Sequence, residues 1–302
     1  MALLALDRLG ADEARLRQFS ASYEKRLRPK SLGEPSLPGG DWHEALGKRQ
    51  YESAVTAKFD DDLRRRGKLA LLGDVVPHLT IGLASEAFHG LIRVAYAVDS
   101  GDDVDIAGAL ASWVTGFSEL PGAPAAKRFA VASDAFDAIA ADDRLAGTIE
   151  GRSIAGRISK VNALPAFDDY RSSIDQPALP DLARIAAKIF ISTADFTALH
   201  LVTACHAVRI LEPFLAPQAL DVLATAMLAS YVAIGRPPIS EPSVDDAPDP
   251  ATLAAHAAKS DDDHDLKLVY SCLQEEAQYG WGLHRVAAGV RLGIDKAATP
   301  SV

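Results

Sequence analysis

The sequence predicts an all-α fold, organised as a single large domain over residues 1–302. Apolar residues recur at intervals of three and four along most of the chain, which is the spacing of one face of a helix. Alternating runs of valine, isoleucine and threonine joined by Asn-Gly turns, typical of β-hairpins, are nearly missing. A chain of 302 residues with 48% hydrophobic residues can bury a large core, so neither a disulfide nor a metal is needed for folding.

The first half of the chain is predicted to be a series of amphipathic helices. No Ser, Thr, Asp or Asn precedes the apolar residues Leu3 to Leu9, so the first helix is expected to begin without a cap. Further helices are predicted over residues 12–27, 48–67, 86–98, 106–117 and 129–139, with a loop at 31–40 and a Pro/Gly-rich break at 121–124. Gly90 costs a helix interior about 1 kcal/mol relative to alanine, which indicates that another element approaches the backbone there.

The second half contains the longest apolar tract, residues 181–215, which is predicted to form two helices. Helices are also predicted over residues 220–234, 261–279 and 283–292. Residues 236–250 carry five prolines and four acidic residues, so they are predicted to form a loop, lid or linker.

Composition restricts the function classes. The chain has 31 basic and 41 acidic residues and a formal net charge of -10, which disfavours nucleic acid and anionic membranes as partners. No apolar run approaches the roughly 18 residues of a membrane span, and the N-terminus has no basic region of a secretory signal. Two cysteines cannot form a disulfide framework, so a cytoplasmic location is expected.

The sequence lacks the familiar motifs of nucleotide-binding sites, zinc hydrolases and serine hydrolases. Its eight histidines are therefore the candidate functional residues. His43 is expected at a helix start beside Trp42, and His256 and His284 are expected at the surface. His78 follows a proline and is compatible with either environment.

His89 lies in the most apolar helix predicted for the first half of the chain. A lone histidine there is often an ordinary core residue. Gly90 and Arg93 favour a site, because the glycine indicates a close approach and a buried cation needs a partner or a ligand.

His200 and His206 lie on one predicted helix, six residues apart. A separation of six residues turns the helix by about 600°, so the two imidazoles point about 120° apart. One metal ion is therefore not expected to bind both, and one of them is expected to be a ligand or base while the other supports it by hydrogen bonding.

His264 and Lys267 are spaced to share a helix face behind a run of aspartates. The spacing alone favours a solvated charged turn. Lys267 becomes a metal ligand only if burial depresses its pKa and the neutral amine captures carbon dioxide as a carbamate.

The sequence contains Trp42 with Leu46-Gly47, PHLTIGL at residues 77–83, AFHGLIR at 87–93, TALHLVT at 197–203 with AVR at 207–209, and DHDLKL at 263–268. Together these segments resemble the questin oxidase-like family. The resemblance spans Met1 to about Leu292, and AFHGLIR and DHDLKL are its most specific segments.

The resemblance implies an α-helical oxygenase with its active site buried between helices. By position in the matching segments, His89, His200 and His264 would be imidazole ligands of a metal and Lys267 a carboxylated ligand. The implied metal is Fe(II), with manganese and zinc as competitors. The family commonly shows a further Asn-His pair before the first helix, which this sequence lacks, so either an upstream segment carries it or another group replaces it.

The leading hypothesis is an oxidoreductase that uses dioxygen on an aromatic or quinone-like small molecule, by Baeyer–Villiger-type or ring-opening oxidation. Arg93 and His206 are its predicted catalytic residues, and Phe88, Tyr96 and Phe196 are expected to line its pocket. NADPH is a possible reductant without a visible binding motif, and a homodimer is compatible with the alanine-rich helices. Two alternatives are a zinc or two-metal hydrolase and a non-catalytic helical protein that binds small molecules.

Overall fold

The protein is built from α-helices, as the sequence predicts. The computed structural model describes residues 1–26, 36–101, 103–120, 126–147 and 149–294. The helices are α1 Ala2–Arg8, α2 Glu13–Glu24, α3 Glu52–Arg66, α4 Lys68–Leu79, α5 His89–Ser100, α6 Val104–Thr115, α7 Ala132–Ala140, α8 Ile154–Asn162, α9 Leu179–Thr193, α10 Phe196–Leu211, α11 Ala219–Ala233, α12 Pro250–Ala257, α13 Asp263–Tyr279 and α14 Leu283–Leu292. Within these ranges the β-structure consists of one isolated bridge between Phe129 and Ile174.

Contacts within the chain group it into two compact units. Unit 1 contains Met1–Lys30, Ala183–His206 and Pro237–Val302, and unit 2 contains Ser31–Leu182 and Ala207–Arg236. The two helices of the long apolar tract, α9 and α10, each contribute residues to both units.

Unit 1 is organised around α13, which packs against α1, α12 and α14. The turn before α13 is held by Arg15 of α2, whose guanidinium donates to the carbonyl oxygens of Ala258 at 2.8 Å and Ser260 at 2.6 Å. Arg15 also pairs with Asp261 at 2.9 Å. These bonds fix the start of the helix that carries His264.

Unit 2 has two helical groups: α6 packs against α3, α4 and α5, and α11 packs against α7 and α8. Trp113 of α6 is fully buried, and its indole N–H donates to the Gly82 carbonyl at 3.2 Å. A Cβ atom added at Gly90 of α5 would lie 2.6 Å from the Trp113 ring. The close approach that the sequence predicts at Gly90 is therefore confirmed.

A polar cluster in unit 2 is centred on Asp142. Arg144 donates to the Asp142 carboxylate at 2.9 and 2.6 Å, and the Tyr170 hydroxyl donates to it at 2.8 Å. The hydrogen bonds from Arg144 are the main reason that the pKa of Asp142 lies well below its usual range. They outweigh the burial of the carboxylate, which by itself would raise that pKa.

Most predicted helices are confirmed, with shifted ends. The helix predicted from residue 86 begins at His89, and the one predicted from residue 129 begins at Ala132, because Phe129 pairs with Ile174. The predictions from sequence did not include α4, α8 and α12; Pro77 lies inside α4, near its end. Residues 27–35 and 121–125, which hold the end of one predicted helix and parts of two predicted turns, lie outside the described residues.

Candidate metal centre

Unit 1 brings His200 of α10 and His264 of α13 close together. Their ring centroids are 5.9 Å apart, and the Phe196 ring contacts both edge-on, at 4.8 and 4.7 Å. The His200 Nδ1 atom lies 2.7 Å from the Phe196 carbonyl oxygen. A carbonyl can only accept, so Nδ1 carries the proton and Nε2 keeps the lone pair that a metal requires.

His264 lies in the first turn of α13. Asp262 caps this helix by accepting the His264 backbone N–H at 2.8 Å. Burial of the imidazole, helped by the nearby charge of Lys267, lowers the pKa of His264. The ring is therefore neutral at pH 7, which is the form that binds metal ions.

Lys267 is buried, so the sequence-based alternative of a solvated charged turn is wrong for this residue. Its Nζ lies 2.7 Å from the Asp263 carboxylate one turn earlier on α13. Burial alone would raise the pKa of Asp263, but the hydrogen bond and charge of Lys267 hold that pKa below its usual value. A protonated lysine amine has no lone pair for a metal, so metal binding through Lys267 would require this ion pair to break.

In unit 2, His89 is the first residue of α5 and is half-buried. The three residues before it, Glu86, Ala87 and Phe88, have φ values of 50°, 60° and 66°. These left-handed conformations end the preceding turn and start α5 at His89, three residues later than the apolar pattern predicts.

Among the residues that the structure describes, two sets of side chains could hold a metal ion. His89, His200 and His264 can each offer one imidazole nitrogen and form a possible metal-binding group of three histidines. Asp262, Asp263 and His264 form a second set, whose candidate ligand atoms lie within 4.8 Å of one another. Neither set identifies the metal.

The predicted catalytic residues have different surroundings. His206 is buried in unit 1, and its Nδ1 lies 2.8 Å from the buried carboxylate of Glu275 on α13. Arg93 is half-buried on α5, with its guanidinium beside Gly108 of α6. Their catalytic roles stay predictions.

The remaining histidines divide between confirmed and wrong predictions. His43 stacks on Trp42 with 3.8 Å between ring centroids, and His256 is exposed, both as predicted. The prediction that His284 lies at the surface is wrong: it is 1% exposed, because α14 places its ring beside those of Tyr279 and Trp281.

Sequence reasoning missed two carboxylates that partner the predicted residues. Asp263 precedes Lys267 by four residues, and this spacing on a helix could have revealed the ion pair. Glu275 is 69 residues from His206 in sequence, and no local pattern connects them.

Helical architecture and a possible histidine metal group define the class: an all-α protein with a candidate nitrogen-ligand metal centre. Within this class, the chain belongs to the questin oxidase-like family, whose family model matches residues 1–272. Membership in this family suggests an oxidoreductase. A comparison with curated proteins found no match. Among the described residues, no helix has the length and apolarity needed to cross a membrane.

Proposed function

We propose that the protein is a non-haem metal-dependent oxygenase whose metal is held by His89, His200 and His264. The observation that supports this most is that three histidines from matching segments of an oxidoreductase family form a possible metal-binding group. The proposed substrate is an aromatic or quinone-like small molecule, and the proposed co-substrate is dioxygen.

The donor chemistry fits the proposed metal. Imidazole suits iron(II), and also zinc, copper and nickel. His200 presents a lone pair on Nε2 because its Nδ1 proton is used by the Phe196 carbonyl, and His264 is neutral at pH 7. A bound iron(II) ion would supply the capacity to bind dioxygen, and the histidines would hold the iron in place.

Lys267 is proposed as a further ligand after carboxylation of its amine. Its burial favours this, because a carbamate needs a lysine that can lose its charge. The ion pair with Asp263 must break for the amine to react. Metal content that rises when bicarbonate is supplied, in the wild type but not in Lys267→Ala, would support carboxylation; an equal response would contradict it.

The site's other residues have proposed positioning and substrate-binding roles. Phe196 is 46% exposed and contacts the imidazoles of His200 and His264, so it can offer an aromatic surface to a planar substrate. Phe88 and Tyr96 are 0% and 2% exposed, which is less suited to substrate contact. Glu275 fixes the orientation of His206, the proposed base.

Further proposals concern the reductant, the assembly and the compartment. We propose NADPH as the electron source if one oxygen atom is reduced to water, a homodimer as the assembly and the cytoplasm as the location. Two free and buried thiols, Cys205 and Cys272, are compatible with a reducing compartment.

Metal analysis of the purified full-length protein tests the ligand set. His200→Ala and His264→Ala should each lose most of the bound metal, because a ligand is removed. His256→Ala is the matched control, since His256 is exposed on α12 and bonds only to its own helix among the contacts described. Full metal content in both ligand variants, or an equal loss in the control, would contradict the site.

A two-metal hydrolase is the second candidate, and the set of Asp262, Asp263 and His264 favours it. Carboxylates next to histidine are typical ligands of paired metal ions that activate water. Two metal ions per chain, with loss of one in Asp262→Asn, would favour hydrolysis. One metal ion per chain, with metal-dependent oxygen consumption, would favour the oxygenase.

A further inference from the structure

The segment before His89 has a conformation that its residues do not favour. Glu86, Ala87 and Phe88 are consecutive non-glycine residues with positive φ, a left-handed turn that L-amino acids adopt at a cost. The apolar pattern of the same residues favours a right-handed helix from position 86. Backbone of this kind persists only where surrounding contacts impose it, and such segments cluster at functional sites.

Contacts with Arg49, just before α3, and with residues of α6 and the segment after it impose this conformation. The Glu86 carboxylate forms an ion pair with Arg49, whose guanidinium also donates to the Ser112 carbonyl at 3.3 Å. Directly before Glu86, the Ser85 hydroxyl accepts the Ser118 N–H at 2.8 Å. The left-handed turn is therefore tied through Arg49 to Ser112 of α6, and through Ser85 to Ser118, just beyond the end of α6.

Gly116 shows how closely the ion pair is seated. A Cβ atom added at Gly116 would lie 2.7 Å from both the Arg49 guanidinium and the Glu86 carboxylate. The ion pair therefore occupies the space beside Gly116 at the end of α6, and its side chains are in close contact with this glycine.

We infer that the ion pair between Arg49 and Glu86 is a positioning device for His89, which it holds at the first position of α5 by keeping residues 86–88 left-handed. This inference rests on the proposed function in one respect, the role of His89 as a metal ligand. Without the pair, residues 86–88 relax towards the right-handed helix that their sequence favours. The relaxed helix rotates His89 away from its place at the helix start, and metal affinity falls.

Cobalt(II) titration of the metal-free full-length protein, followed by visible absorption, tests the inference. Loss of groups that orient a ligand typically weakens metal binding by about tenfold to a hundredfold, and Arg49→Gln should fall in this range. Arg49→Lys retains the charge and should recover part of the affinity. Arg66→Gln is the matched control, because Arg66 also ends in an ion pair at the surface of unit 2, with Asp74; it should bind as the wild type does.

A second substitution separates positioning from general stability. Glycine adopts positive φ as readily as negative φ, so Ala87→Gly allows the left-handed turn to form without help from the ion pair. Ala87→Gly introduced into Arg49→Gln should therefore restore much of the lost affinity. A loss that Ala87→Gly does not relieve would contradict a role through the turn.

The same titration in a His89→Ala background distinguishes the inference from the proposed function. If His89→Ala weakens binding and Arg49→Gln adds no further loss in that background, the inference holds. If Arg49→Gln binds as the wild type does, or weakens both backgrounds equally, the inference is overturned while His89 stays a ligand. If His89→Ala itself binds as the wild type does, the assignment of His89 fails and the inference fails with it.

Discussion

Substitution of Gly90 by alanine should destabilise unit 2, although alanine is the better helix former. The added Cβ would lie 2.6 Å from two atoms of the Trp113 ring and 2.9 Å from the Trp113 Cβ. Carbon atoms in contact are normally about 3.5–4.0 Å apart, so α5 or the indole must move by about 1 Å. Trp113 is fully buried, and its N–H bond to Gly82 limits how it can turn.

The free energy follows from three opposing effects. Overpacking of a core costs about 1–3 kcal/mol, and a weakened indole hydrogen bond costs about 1 kcal/mol. The helix propensity of alanine returns about 1 kcal/mol. We therefore expect Gly90→Ala to lower the free energy of unfolding by about 2 kcal/mol.

Urea unfolding measured by circular dichroism checks this value, with Gly73→Ala as the control. Gly73 lies in α4, is exposed, and an added Cβ there would meet no atom within 4 Å. The control should gain about 0.5–1 kcal/mol from helix propensity alone. If Gly90→Ala is at least as stable as the wild type, the argument that close packing against Trp113 requires glycine at this position is refuted.

Three further predictions concern other parts of the chain. Arg15→Ala removes charge-assisted bonds to the turn before α13 and should cost about 2 kcal/mol in urea unfolding, whereas Arg17→Ala, whose side chain is 78% exposed, should change stability by no more than about 0.5 kcal/mol. The folded-state pKa of Asp142 is depressed, so its contribution is fully present above the unfolded pKa of about 3.9 and is lost as the pH falls through the folded value. Asp142→Asn should therefore lower the urea midpoint at pH 7, and its difference from the wild type should shrink towards pH 2; a constant difference would contradict the ion pairing. Burial raises the pKa of both Cys205 and Cys272, so a thiol reagent should react with them only on unfolding, and reaction in the native protein would refute their burial.

The helices could be predicted because their apolar spacing is local. Residues 283–292 begin and end as predicted, and the tract at 181–215 contains two helices as predicted. The interruption between those two helices, at Ala194, was not located, because alanine is a good helix former. Asp195, whose carboxylate accepts the Thr197 N–H at 2.6 Å, was the local signal for the start of the second helix. The predicted helix start at residue 86 was wrong because contacts with other segments override the local helical preference of residues 86–88.

The candidate site could be predicted only in part. Sequence order and the family resemblance pointed to His89, His200 and His264, which form the possible metal group. The state of Lys267 could not be predicted, because its burial and its pairing with Asp263 depend on how α13 packs. His284 was placed at the surface by its polarity, yet packing of α14 buries it.

By itself, the sequence determined that the protein is helical, that Gly90 is closely approached and which histidines are candidates for a metal, since these depend on periodicity, residue size and side-chain chemistry. Only the tertiary structure decided which nitrogen of His200 keeps a lone pair, that Lys267 is buried and paired with Asp263, and that α5 begins at His89. These properties arise from contacts between residues far apart in the chain, whose distances and burial no local pattern encodes. The start of α5 shows the physical reason most directly: an ion pair to Arg49 and packing on α6 outweigh the helical preference of Glu86 to Phe88.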